Sequence, residues 1–356
     1  MKQTIDGKAL VYCDGAFNTT YGKTAHGLVR FTERYEVVGV IDHRYAGQDA
    51  GLVLDGKNNG IPIFKDMKDA MPKLGLDNKP KTLVIGIATD GGRLPAEAKN
   101  TIKETLELGM NVDSGLHDFL YKDTNLMAIA EKNNCRVRDV RRMPDRDQLH
   151  FFTGKIEDVD CLKIALLGTD SAIGKRTTAW IIVHAFRKAG LKAELAGTGQ
   201  TAWMQGAKYS MIMDSCINDF VSGEIEHAVY EAWKNESPDL IVIEGQGSLM
   251  NPAYPGGFEI LAAGRPDYVI VQHAPRRIEY DGFPGYVLHP IKEQINAIET
   301  ISGKKVIAIT VNHEDMTKEE ILPACAKITE ETGLPAFDVL EYGAEDLVKL
   351  LKSYLK

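Results

Sequence analysis

The chain has 356 residues, too many for one ordinary hydrophobic core and suited to two domains. With 44% hydrophobic and 26% charged residues it reads as soluble and globular, and no apolar run approaches the ~20 residues of a membrane span. A net charge of -8 argues against general nucleic-acid binding, which needs a basic surface, and leaves small anionic ligands held by local positive groups.

The opening MKQTIDGKAL lacks the apolar core of a signal peptide. Cys13, Cys135, Cys161, Cys216 and Cys325 are scattered, which argues against a zinc ribbon or a disulfide framework. A cytoplasmic homo-oligomer acting on small molecules, with no membrane or nucleic-acid partner, is expected.

The first half alternates strands with helices. Ala9–Gly15 reads as a strand ending in a turn, and Glu36–His43 as a second strand closing on Asp42. Thr82–Gly92 is a third, running into glycines. Asn111–Leu120 reads as a short fourth strand and the start of a helix. This order implies a parallel sheet with helices on both faces. Asp42 stands where a ribose-binding acid would, but the preceding turn is not G-x-G-x-x-G. A Rossmann-like sheet without a dinucleotide is therefore expected. Tyr21-Gly22-Lys23-Thr24 lacks a leading glycine and a strand directly before it, and is not read as a phosphate loop. The stretch Arg136–Asp147 holds five arginines and reads as a solvated connection. Within it, Arg141 or Arg142 is a candidate to reach a carboxylate or phosphate in a cleft between domains.

The alternation resumes in the second half. Leu162–Gly168, Leu191–Gly197, Asp239–Gly245, Tyr268–His273 and Lys305–His313 read as strands. After Gly174, the residues Ala179, Ile182, Val183 and Phe186 form one apolar helical stripe that ends at Lys188-Ala189-Gly190. The predicted fold is α/β: a Rossmann-like N-terminal domain over 1–155 and a P-loop NTPase-like C-terminal domain over 156–356, both parallel sheets covered by helices. Trp180, Trp203 and Trp233 are expected in the core or at an interface.

The stretch LLGTDSAIGKRTT (Leu166–Thr178) is a strand, a glycine-containing loop and a helix starting at Gly-Lys, which is the context of a phosphate-binding loop. Five residues separate Gly168 from Gly174, one more than in G-x-x-x-x-G-K; counting from Thr169 restores four. Gly168, Thr169, Asp170, Ser171, Gly174, Lys175, Arg176 and Thr177 are the candidate cofactor-binding residues, through loop N–H groups and the lysine charge. Arg176 stands where NTPases keep the Ser or Thr that ligates magnesium. Thr177 and Thr178 lie further along the helix, turned by ~100° per residue. Arg176 can neutralise phosphates in the metal's place, so a phosphorylated ligand without magnesium, such as coenzyme A, is expected. The histidines show no metal spacing, so no metal is expected.

GTDSAIGK together with VIEGQGSL (Val242–Leu249) resembles dethiobiotin synthetase, and that likeness implies ATP with magnesium; Arg176 departs from it. The chain more closely resembles a two-domain bacterial family long catalogued only as a domain of unknown function, whose members have been identified as D-glutamate N-acetyltransferases. The matching segments are DVRRMPD (Asp139–Asp145), GTDSAIGKRTT (Gly168–Thr178), AGTGQT (Ala196–Thr201), DFVSGEIE (Asp219–Glu226), IEGQGSLMNPAYPG (Ile243–Gly256) and QHAPRR (Gln272–Arg277). The resemblance implies acetyl-CoA as donor and D-glutamate as acceptor.

Acetyl transfer to an amine needs a base, donors for the oxyanion and cations for the acceptor's carboxylates. Glu244 follows the apolar run LIVI at a strand's C-terminal end, where open α/β sheets place ligands. Asp219 precedes a helix, and His273 ends the strand YVIVQ beside two arginines. Glu244, Asp219 and His273 are the catalytic candidates. Arg141, Arg142, Gln200 and Arg276 are the substrate-binding candidates. The competing readings are an ATP-dependent ligase or kinase and a nucleotide-binding protein without turnover.

Overall fold

Each apolar run that ends in glycine or an acid becomes a strand of one of two parallel sheets in a computed structural model, which describes residues 4–356. The chain divides into two compact units. The first runs to Met143 and takes in Gln200–Gly206; the second holds Pro144–Gly199 and Ala207–Lys356.

The first unit's strands are β1 (Gly7–Tyr12), β2 (Tyr35–Ile41), β3 (Ile63–Phe64), β4 (Thr82–Ile85), β5 (Asn111–Ser114) and β6 (Val137–Asp139). They lie in the order β3-β2-β1-β4-β5-β6, and every ladder pair is parallel. The order reverses between β1 and β4, where such sheets commonly receive ligands. Asp42, just past β2, is fully buried. One of its oxygens accepts from Phe17 N at 2.9 Å, and the other from Arg44 N at 2.9 Å. The Arg44 guanidinium spans both oxygens. The carboxylate that would hold a ribose is thus spent on the turn itself.

Three details depart from expectation. The charged stretch Arg136–Asp147 contains β6, because Arg138 is neutralised by Asp113 on β5 and by Asp6. A strand whose buried charge is cancelled by a residue far away in sequence shows no apolar alternation. Second, the helix start expected within Asn111–Leu120 is a single 3-10 turn over Leu120–Lys122, and no α-helix begins there. Asp139 accepts from the N–H groups of Leu120 and Tyr121 and holds a tight turn there, and Asp123 then caps the helix Thr124–Lys132. Third, the helix Gln200–Gln205 packs into the first unit. Gln205 Nε2 donates to Gly27 O and Phe31 O, both at 2.9 Å, and Trp203 lies between the guanidiniums of Arg34 and Arg138, 3.7 and 4.5 Å from its ring.

In the second unit the strands are β7 (Leu162–Gly168), β8 (Ala193–Gly197), β9 (Tyr209–Ser210), β10 (Leu240–Glu244), β11 (Tyr268–His273), β12 (Val306–Val311) and β13 (Ala336–Phe337). Their order is β13-β12-β11-β7-β10-β8-β9, again parallel throughout. β7 is buried along its whole length, as a central parallel strand must be. The helix Lys175–Lys188 buries Ala179, Ile182, Val183 and Phe186, the predicted stripe. The two-residue strands β3, β9 and β13 at the sheet edges are too short to leave a periodic signal.

Candidate active site

Three strands of the second unit end side by side: β7 at Gly168, β10 at Glu244 and β11 at His273. The loop after β7 crosses these ends. Ala172 at φ 51° and Gly174 at φ 92° both take the left-handed conformation. Such reversals turn successive N–H groups toward one point and create an anion nest. A left-handed alanine is strained by roughly 1–2 kcal/mol, a cost typical of ligand-binding loops. A Cβ on Gly168 would come within 2.9 Å of Lys175 Cδ, so glycine lets the lysine stem lie across the strand end. Lys175 Nζ donates to Asp170 O at 2.6 Å and to Gly247 O at 2.7 Å, which hold it over the loop. Thr178 points into the sheet, where its hydroxyl donates to Gln272 Oε1 at 2.8 Å. Lys175→Ala is expected to weaken binding of a phosphorylated ligand by roughly 1.5–3 kcal/mol, the value of a charge-assisted hydrogen bond. Calorimetric titration checks this, and unchanged affinity in a folded variant would remove the loop from the site.

Asp170 is fully buried. Its Oδ1 accepts from Ser171 N at 2.6 Å and Asn251 Nδ2 at 2.8 Å, and its Oδ2 from Arg277 and Asp281 N, both at 2.8 Å. Arg277 also donates to Ser171 O at 2.7 Å and grips Glu314 through two bonds of 2.7 Å. Asn312 Nδ2 donates to Ile173 O at 3.0 Å. Asp170 therefore shapes the loop, with its oxygens committed to protein donors. Asn251, Arg277, Glu314 and Asn312 carry this work, and none stood among the candidates. Asn251 lies within the quoted motif IEGQGSLMNPAYPG, the only sequence signal that marked it. Arg277 and Arg276 are neighbours with opposite fates: Arg276 is half-exposed and pairs with Glu320 at the start of the helix Lys318–Thr332.

Glu244 is buried beside the loop. Its Oε2 accepts from Thr198 N at 2.8 Å, while Thr198 Oγ1 donates to Glu244 O at 2.9 Å. Gln246 Nε2 donates to Thr198 Oγ1 at 3.0 Å. Burial pushes the Glu244 carboxyl above its ordinary pKa, against the pull of Arg176, the Thr198 N–H, Lys175 and the Gly199 N–H. Arg176 thus acts electrostatically on Glu244, from the position after the loop lysine. His273 Nδ1 lies 3.0 Å from Thr169 Oγ1, and burial pushes the imidazole down to about 4. It is neutral near pH 7 and serves the loop as a hydrogen-bonding group.

The structure brings Gly168, Thr169, Asp170, Ser171, Gly174, Lys175, Arg176, Thr177, Glu244 and His273 into one region of the second unit. Asp219 is exposed in the first turn of the helix Asn218–Glu236, where an acid favours the helix dipole. Arg141, Arg142 and Gln200 belong to the first unit. There Arg141 Nε donates to Gly115 O, the Arg142 guanidinium sits 4.5 Å from the Tyr121 ring, and Gln200 packs against Gly115. Asp14, Asp42 and His43 have ligand atoms within 4.8 Å of one another. The Asp42 oxygens are committed to Phe17 and Arg44, and Asp14 Oδ1 accepts from His43 N at 2.8 Å. Among the described residues, no helix is long and apolar enough to cross a membrane.

Two family models match the chain. Residues 150–348 match a family model described as "Domain of unknown function (DUF1611_C) P-loop domain". Residues 43–143 match "Domain of unknown function (DUF1611_N) Rossmann-like domain". A D-glutamate N-acetyltransferase of Tritonibacter scottomollicae is 31% identical over 277 residues, 76% of this chain and 81% of that protein. A protein of the same name from a Pseudoalteromonas species is 30% identical over 275 residues, 75% of this chain and 80% of its own. The crystal structure of a DUF1611 family protein from Anabaena variabilis superposes with a TM-score of 0.88 at 29% identity, covering 97% of this chain and 99% of that one.

Proposed function

The chain belongs to the two-domain DUF1611 family, a Rossmann-like domain followed by a P-loop domain, and from that premise we propose that it transfers an acetyl group from acetyl-CoA to the amino group of D-glutamate or a similar acidic amino acid. The observation that carries this reading is Arg176 at the position after the loop lysine, where its charge acts on the buried Glu244 carboxyl at the strand end. A guanidinium at the magnesium-ligand position offers no oxygen to a cation and repels it, yet it supplies a permanent charge for phosphate oxygens. Phosphoryl transfer needs that cation; acetyl transfer does not.

In this reading the loop N–H groups, Lys175 and Arg176 hold the coenzyme's phosphates. Glu244 takes a proton from the acceptor's ammonium, since only the neutral amine attacks. The amine nitrogen bonds to the thioester carbonyl carbon, the carbon–sulfur bond breaks, and the departing sulfur leaves as the thiol with the second nitrogen proton. A carboxyl with a raised pKa suits this role, because its basicity lies closer to neutral pH.

Activity with acetyl-CoA and D-glutamate is expected to persist in excess EDTA, while magnesium-dependent ATP hydrolysis stays at background. The measurement is thiol release with and without chelator, beside a phosphate-release assay. Chelator-sensitive turnover with brisk phosphate release would overturn the proposal in favour of an ATP-dependent ligase.

A further inference from the structure

Next to the phosphate loop, the second unit exposes an aromatic surface that the transfer chemistry does not use. Tyr254, Ile278, Tyr286 and Val287 are 58, 73, 57 and 66% exposed. The Phe283 ring meets Tyr254 and Tyr286 edge-on, with centroids 6.4 Å away in each case. These residues come from two segments. One is the turn after Asn251, whose Oδ1 accepts from Tyr254 N at 2.8 Å. The other is a hairpin in which Tyr280 N donates to Tyr286 O at 2.9 Å and Leu288 N to Ile278 O at 2.7 Å.

Both segments are fastened to the phosphate loop through the same carboxylate. Asn251 Nδ2 holds one oxygen of Asp170 and Asp281 N the other, each at 2.8 Å. The hairpin's root is fixed as well: Tyr280 is buried, and its hydroxyl lies 2.7 Å from His289 Nδ1. Tyr254 is a short step from the loop lysine. Its carbonyl oxygen lies 2.0 Å from where a Cβ on Gly247 would sit, and Gly247 O itself accepts from Lys175 Nζ at 2.7 Å. The backbone that carries Tyr254 is therefore tied, through Gly247, to the lysine that binds phosphate.

A ligand site pairs a few polar groups that fix orientation with apolar surface that supplies contact area, and an exposed apolar patch beside such groups marks it. A nucleoside di- or triphosphate ends at its phosphates. An acyl-carrying coenzyme continues past its pyrophosphate into a long, mostly aliphatic arm with amide groups. We propose that Tyr254, Phe283 and Tyr286 form the subsite for that arm, and so select a phosphorylated acyl carrier over a plain nucleotide. This rests on the acetyl-CoA reading above.

The test compares coenzyme A with 3′-phospho-ADP, which keeps the phosphates and lacks the arm. Phe283→Ala and Tyr286→Ser are titrated with both ligands by calorimetry, with melting and sedimentation as controls; Tyr286 is exposed at the hairpin tip, so its replacement does not threaten the fold. Kd for coenzyme A is expected to rise about tenfold, in line with the loss of one aromatic contact, while Kd for 3′-phospho-ADP stays within about twofold. Unchanged coenzyme affinity, or an equal loss for both ligands, overturns the subsite. So does a variant whose only change is a smaller assembly, which assigns the patch to self-association. If the wild type prefers coenzyme A through Phe283 yet does not acetylate D-glutamate, the subsite stands and the proposed reaction falls.

Discussion

Glu244→Gln is expected to lower kcat for acetyl transfer by about 100- to 10,000-fold, the range lost with a general base, with little change in coenzyme affinity. Glutamine keeps the shape of the side chain, and its carbonyl oxygen can still accept from Thr198 N, which now lies 2.8 Å from Oε2. What it cannot do is take a proton. The pH profile separates this role from a merely structural one. Burial raises the carboxyl's pKa, so the wild type should lose activity as pH falls through a value above the ordinary glutamate range. The base works in its charged form, so protonation switches it off, and the variant's residual rate should lack that acidic limb. A variant with full kcat, or one that retains the limb, would move the base elsewhere.

Arg277→Met should cost the second unit about 3–5 kcal/mol, the penalty for breaking a buried ion pair by removing one partner. It leaves Asp170 buried with one strong donor gone, and Glu314 without its two-bond partner. Adding Asp170→Asn in the Arg277→Met background should recover part of the loss, because the stranded charge disappears with it. Arg276→Met is the contrasting control. That residue's pair with Glu320 is half-exposed, and such pairs are worth ~0–1 kcal/mol. Denaturant melts of all four proteins give the comparison. Equal effects at positions 276 and 277 would show that the loop does not depend on the buried network.

These two arginines mark where the sequence stops being legible. The strands could be read because a parallel strand buried on both faces is a continuous apolar run, and β7, β10 and β11 are such runs. The phosphate loop could be read because its glycine, lysine and flanking elements are local in the chain. Glu244 could be read from its place at a strand end. The inward turn of Asp170 could not, since its partners Asn251, Arg277 and Asp281 lie 81, 107 and 111 residues away. Neither could β6, whose Arg138 is acceptable only because Asp113 lies on the next strand. Adjacent arginines look alike until the loop they follow sends one side chain inward and the other to solvent.

The helix Gln200–Gln205 has a consequence for how this protein is made. All six strands of the first sheet have been synthesised by Asp139, yet the first unit is not complete. Met204, fully buried in that unit's core, and Gln205, which caps Gly27 O across 178 residues of sequence, have still to be translated. A nascent chain at Met143 therefore carries an open seat where Trp203 will lie between Arg34 and Arg138. Contacts so distant in sequence form late. The N-terminal unit cannot fold to completion as soon as it leaves the ribosome, as N-terminal domains generally do, and must wait for the middle of the chain.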